Sequence, residues 1–133
     1  MSPKTVIVRR ATTYEGKQGP TYAGGVSEES AGSKHLWMGR VVVPPGGRTK
    51  AHIHAQHETS ILVLEGGCDM YTGDDLGQHD VVNAGEYIYI PANCPHVVVN
   101  RGQTPVVAII ARTDPHEQES VVLLPELEAR VPA

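Results

Sequence analysis

Apolar positions along this chain recur in short alternating bursts, with no sustained helical stripe. Runs rich in β-branched and aliphatic residues fall at Thr5 to Val8, Leu36 to Val43, Ser60 to Leu64, Asp69 to Tyr71, Tyr87 to Ile90, Val97 to Val99, Val106 to Ala111 and Val121 to Leu124. Turn chemistry separates them, in Pro44-Pro45-Gly46-Gly47, Gly66-Gly67, Thr72-Gly73-Asp74-Asp75, Asn83-Ala84-Gly85, Pro91-Ala92-Asn93 and Arg101-Gly102-Gln103-Thr104-Pro105. Strands punctuated this regularly predict an all-β sandwich or barrel. The stretch at about 14–34 is rich in Gly, Ser, Glu and Thr and carries no clear period, so it reads as a long loop or arm. The segment Val121 to Leu127 is too apolar to leave in water and is expected to pack on the barrel or on a second subunit.

Composition agrees with that pattern: 14 glycines, 10 prolines and no phenylalanine favour strands and tight turns over helices. A length of 133 residues supports one hydrophobic core, so residues 1–133 are read as a single domain. The net charge of -4 offers no basic field for a phosphate backbone, which argues against nucleic acid as a partner. No run is long and apolar enough to cross a bilayer and the start lacks a secretion-signal layout, so no membrane role and a cytoplasmic location are expected. Cys68 and Cys94 are then expected to be reduced thiols.

Histidine grouping changes the picture more than any bulk number, because three of the seven lie within His52-Ile53-His54-Ala55-Gln56-His57. On a strand, alternate side chains share a face, so His52 and His54 project to one side and can grip one ion. Neutral imidazole suits zinc, iron, nickel, copper and manganese, and such an ion needs further ligands from elsewhere in the fold. Taken alone, a His-x-His pair is more often two solvated histidines. Here, however, Gly46 precedes His52, Glu58 follows, and the apolar run from Ile61 closes on Glu65-Gly66. A second block then presents Gly85, Pro91, Asn93, His96 and Asn100.

These two blocks, 46–66 and 85–100, resemble the paired motifs of the cupin superfamily. The resemblance implies a double-stranded β-helix (a jelly-roll barrel) holding one divalent transition metal in its lumen. In it the first motif supplies His52, His54 and usually one further acidic, Gln or His ligand, and the second supplies His96. Asn93 stands where the family usually has Gly, and Asn is the residue other than Gly that best tolerates a left-handed backbone. The fourth ligand stays open between His57 and Glu58, with Gln56 behind them. The family's usual offset lands on Thr59, one place after Glu58. If Thr59, Ile61 and Val63 face the lumen, simple alternation turns His57 inward and Glu58 outward, and a bulge reverses this.

His35, His79 and His116 read as structural or solvated side chains, and Arg48 near the barrel mouth as a solvated turn residue or a contact for an acidic substrate. There is no nucleophile elbow, phosphate loop or Cys-x-x-Cys. The expected function is a metal-dependent enzyme acting on a small organic molecule. Two chemistries fit: a dioxygenase, or a cyclase or isomerase of polyketide-like or diketone-like substrates, as in the aromatic polyketide cyclases that the size and the His-rich first motif resemble. The alternative is a non-catalytic cupin that binds a metal or small ligand as a sensor or protective protein. Edge strands at Thr5 to Val8 and in the tail suggest a homodimer.

Overall fold

The computed structural model describes residues 2–133. Eleven strands form among them: β1 Thr12–Glu15, β2 Thr21–Val26, β3 Trp37–Val43, β4 His52–His54, β5 Thr59–Glu65, β6 Gly67–Thr72, β7 Gln78–Asn83, β8 Tyr87–Ile90, β9 His96–Val99, β10 Val106–Arg112 and β11 Val121–Leu123. One short helix, α1, spans Glu28–Ala31, and a 3-10 turn closes the chain at Pro125–Arg130. The strands build a six-stranded sheet, in the order β1-β2-β3-β10-β5-β8, and a five-stranded sheet, β11-β4-β9-β6-β7. Every pairing is antiparallel.

Alternation explains why the two sheets face each other. In β10, Val106, Ala108, Ile110 and Arg112 are buried while the residues between them are less so. In β5, Thr59, Ile61 and Val63 play the same part, and in β3 Trp37, Val41 and Val43 do. Their side chains meet Cys68, Met70 and Ile90 in one core between the sheets. Burying each large aliphatic side chain contributes about 1.5–3 kcal/mol. Both thiols are free, and burial pushes that of Cys68 up to about 11.

Two expectations need correction, and one strand lies where none was expected. The stretch at 14–34 is not a loop: it holds the end of β1, all of β2 and α1, which is capped by a reciprocal Ser27–Ser30 box. Its strand character was masked by Gly24-Gly25, yet Tyr22 is buried against the core. Thr5 to Val8 forms no strand, and Val6 and Ile7 are 53% and 63% exposed. β7, with QHDVVN exposed at all but one position, was not foreseen.

The apolar tail does pack on the barrel. β11 pairs with β4, Val121 opposite His54 and Leu123 opposite His52. Beyond it, Leu124, Leu127 and Val131 cover a second apolar cluster of Ala51, Tyr71, Leu76, Val97 and Val99 on the outer side of the five-stranded sheet. The tail thus braces the strand that carries the paired histidines.

Candidate metal centre

β4 presents His52 and His54 inward, with Ile53 between them turned away. β9 lies beside β4 with His96 directly opposite His52. The three rings are 1%, 3% and 4% exposed. Their centroids lie 5.1 Å (His52–His54), 4.1 Å (His52–His96) and 5.6 Å (His54–His96) apart. One ring nitrogen from each lies within 4.8 Å of those of the other two, so the three are positioned to bind one metal ion.

The tautomers follow from their partners. His52 Nδ1 donates to the Lys50 carbonyl at 2.7 Å and His96 Nδ1 to the Cys94 carbonyl at 3.0 Å. Ser120 Oγ gives its hydrogen to the Glu117 carbonyl at 3.1 Å, which leaves it to accept from His54 Nδ1 at 3.4 Å. Each ring therefore keeps its Nε2 lone pair, with Nδ1 held by an acceptor, as in metal-ligating histidines. His54 Nε2 is buried with no hydrogen-bond partner, a cost that a metal ion would remove. Burial, first of all, holds all three rings neutral. It drives His52 and His54 far below the ordinary histidine value and His96 down to about 4. Repulsion from His96 adds to the effect at His52, and repulsion from Arg112 at His54. Three neutral, converging nitrogen donors suit a divalent transition ion.

His57 and Glu58 lie outside this cluster. His57 Nδ1 meets Thr113 Oγ1 at 3.1 Å, and exposed Glu58 accepts from Tyr89 Oη at 2.6 Å. Gln56 takes a left-handed backbone, φ 67°, in the turn between β4 and β5, and β5 begins only at Thr59. Thr59, Ile61 and Val63 do face the lumen and Glu58 is exposed, as alternation expects, but half-buried His57, ahead of β5, meets Thr113 and does not join the three histidines. Gln56 itself is exposed, its N–H donating to Asn93 Oδ1 at 2.9 Å. Asn93 is left-handed as well, φ 63°, as its place in the second motif anticipates, and Gly46 and Gly85 turn at φ 77° and 88°.

Thr59 occupies the inward position at the start of β5, and its Oγ1 accepts from Arg112 Nε at 2.9 Å. Arg112 is the residue that sequence reasoning missed. Its guanidinium is 4% exposed, lies 5.7 Å from the Trp37 ring and donates from Nη1 to Glu117 Oε2 at 2.7 Å. Glu117 also accepts from Tyr14 Oη and, at 2.8 Å, from Gln118 Nε2. Burial and Glu117 push the Tyr14 phenol up, so it stays a donor. The signal was present: period-two alternation through Val106, Ala108 and Ile110 puts Arg112 on the core face, where a charge is uncommon.

The other histidines sit apart. His79 pairs with Asp69 at 2.6 Å and stacks on Tyr71, His116 pairs with Glu28, and His35 is exposed. Tyr87 and Tyr89 point outward, 75% and 62% exposed, and Arg48 pairs with Glu128 at 3.2 Å. His52, His96, Thr49 and Arg112 line an otherwise mainly apolar cavity of about 40 Å³ between the sheets.

A family model of the cupin domain matches residues 39–112, more than half of the chain, and the chain belongs to that family. A relative in Methanocaldococcus jannaschii, an uncharacterised protein, is 29% identical over 87 residues, covering 65% of this chain and 67% of its own. Among solved structures, the polyketide cyclase RemF from Streptomyces resistomycificus aligns with TM-score 0.72 at 24% identity, over 98% of this chain and 95% of that one. An oxalate oxidase aligns with TM-score 0.72 at 22% identity, over 92% of this chain but only 63% of that one. An uncharacterised protein with a double-stranded β-helix domain from Klebsiella pneumoniae aligns with TM-score 0.67 at 15% identity, over 92% and 97%. These likenesses establish a cupin double-stranded β-helix. No helix among the described residues is long and apolar enough to cross a membrane.

Proposed function

We propose that the protein is a metal-dependent enzyme that transforms a small organic molecule in the barrel lumen, with His52, His54 and His96 holding one divalent transition ion. The observation that carries this reading is the donor set: three neutral imidazoles converge, two of them, His52 and His96, lining a mainly apolar cavity, and among the described residues no other His, Cys, Asp or Glu joins them. Three protein ligands leave coordination positions open to substrate and water, the arrangement of catalytic rather than structural sites. An ion bound there supplies Lewis acidity toward a substrate oxygen and, where it is redox-active, chemistry with dioxygen.

The chain's own residues do the rest. Lys50, Cys94 and Ser120 fix the ring orientations through Nδ1. Val43, Ile61, Val106 and Ile110 exclude water from the reacting face. Both finer chemistries remain proposals: cyclisation or isomerisation of a diketone-like substrate, and oxidation by dioxygen. Turnover of catechol-like, β-diketone and polyketide-like compounds, with and without oxygen, separates them. The cyclase or isomerase proceeds without oxygen and the dioxygenase consumes it. Ligand binding without turnover in every arm would instead support the non-catalytic sensor or protective role.

A further inference from the structure

We infer that Arg112 is an anion-binding residue of the lumen, and that the substrate presented to the three histidines is a small organic oxyanion of the carboxylate type. This rests on reading the lumen as the substrate site. Arg112 lines the same cavity as His52 and His96. A guanidinium carries five N–H donors in a planar fork. Here Nε is used by Thr59 and Nη1 by Glu117, while Nη2 takes no hydrogen bond among the described residues. The fork is therefore anchored on one side and free on the other.

Charge balance points the same way. Glu117 pairs directly with Arg112 and is shared with Tyr14 and Gln118, and the buried Asp114 adds a second negative charge that acts on Arg112. The histidine cluster contains no carboxylate, and the inward position at the start of β5 is a threonine. With Arg112 offset by Glu117, and buried Asp114 acting on Arg112 as well, a divalent ion on three neutral imidazoles still leaves one positive charge uncompensated beside a mainly apolar cavity. Such a site favours an anion over a neutral molecule of the same shape. A carboxylate satisfies both needs, because its two oxygens can meet the ion and the free edge of the guanidinium. A purely structural Arg112–Glu117 pair makes no such demand on a ligand.

The test compares acetate with acetamide, which match in shape and differ in charge. Protein loaded with cobalt(II), its stoichiometry fixed by elemental analysis, is titrated with each while the cobalt absorption and the heat of binding are followed. The double variant Arg112→Gln/Glu117→Gln replaces the ion pair by a neutral pair of similar reach. It is expected to retain cobalt and to bind acetate about tenfold more weakly, with acetamide unchanged within about twofold. Acetate weakened no more than acetamide, with cobalt retained, overturns the inference. Should that variant not fold, Arg112→Lys decides: a point charge without the fork is expected to weaken acetate about threefold, and an unchanged acetate affinity refutes the role. Wild-type protein that takes up no cobalt refutes the metal reading instead. The acetate preference of metal-free wild type over the variants, read by calorimetry, then still tests Arg112 on its own.

Discussion

At the scale of single residues, the site is three imidazoles kept neutral by burial and aimed by their Nδ1 bonds. That arrangement has a pH signature in metal-free protein. Above the ordinary histidine value of 6.5, folded and unfolded chains both hold neutral His96 and its contribution to stability is complete. As pH falls from 6.5 toward about 4, the unfolded chain takes up a proton that folded His96 refuses, so stability is lost across that window. At 1.36 kcal/mol per pH unit, His96 alone accounts for about 3 kcal/mol, and His52 and His54 add losses of the same sign. Urea midpoints in chelator should therefore drop clearly between pH 7 and pH 5, and more weakly in His96→Gln. Identical pH dependence in wild type and variant would contradict the burial of a neutral imidazole.

At the scale of elements, the two motifs are tied where a left-handed Gln56 donates to a left-handed Asn93. Asn93→Ala removes both the acceptor and the tolerance for that backbone and should cost about 1–2 kcal/mol, whereas Asn93→Gly loses only the hydrogen bond and should cost about half as much. Denaturant unfolding of the two variants checks the order. The same place shows where sequence reading stopped. The cluster of His52, His54 and His96 was legible because strand alternation and two spaced motifs converge on it. The fate of His57 was not, because β5 begins only at Thr59 and His57, in the turn ahead of it, is carried to Thr113; Glu58 is exposed, as alternation from Thr59 expects. β2 was hidden by paired glycines and β7 by near-complete exposure, so neither showed the contrast that reveals a half-buried strand. Arg112 was legible in principle, but a charge ending an apolar run reads most naturally as the strand's solvated end.

At the scale of the whole molecule, the six-stranded sheet turns an apolar face outward. Met38, Leu64, Tyr87 and Tyr89 are 49%, 45%, 75% and 62% exposed, half-buried Leu62 and Ile109 continue the row from Tyr87, and exposed Arg40 ends it. We propose that a second copy of the chain covers this face, since a two-fold interface needs only one self-complementary patch. Sedimentation should give a dimer that Met38→Lys/Tyr87→Lys converts to monomer without loss of the metal. A wild-type monomer at working concentration would count against it. Such a dimer leaves the lumen histidines, on the opposite side of that sheet, within each subunit. Elemental analysis of protein purified without chelator is expected to find one divalent transition ion per chain, lost in His54→Ala; folded wild-type protein that holds none, even after incubation with such ions, would contradict a metal centre at the three histidines.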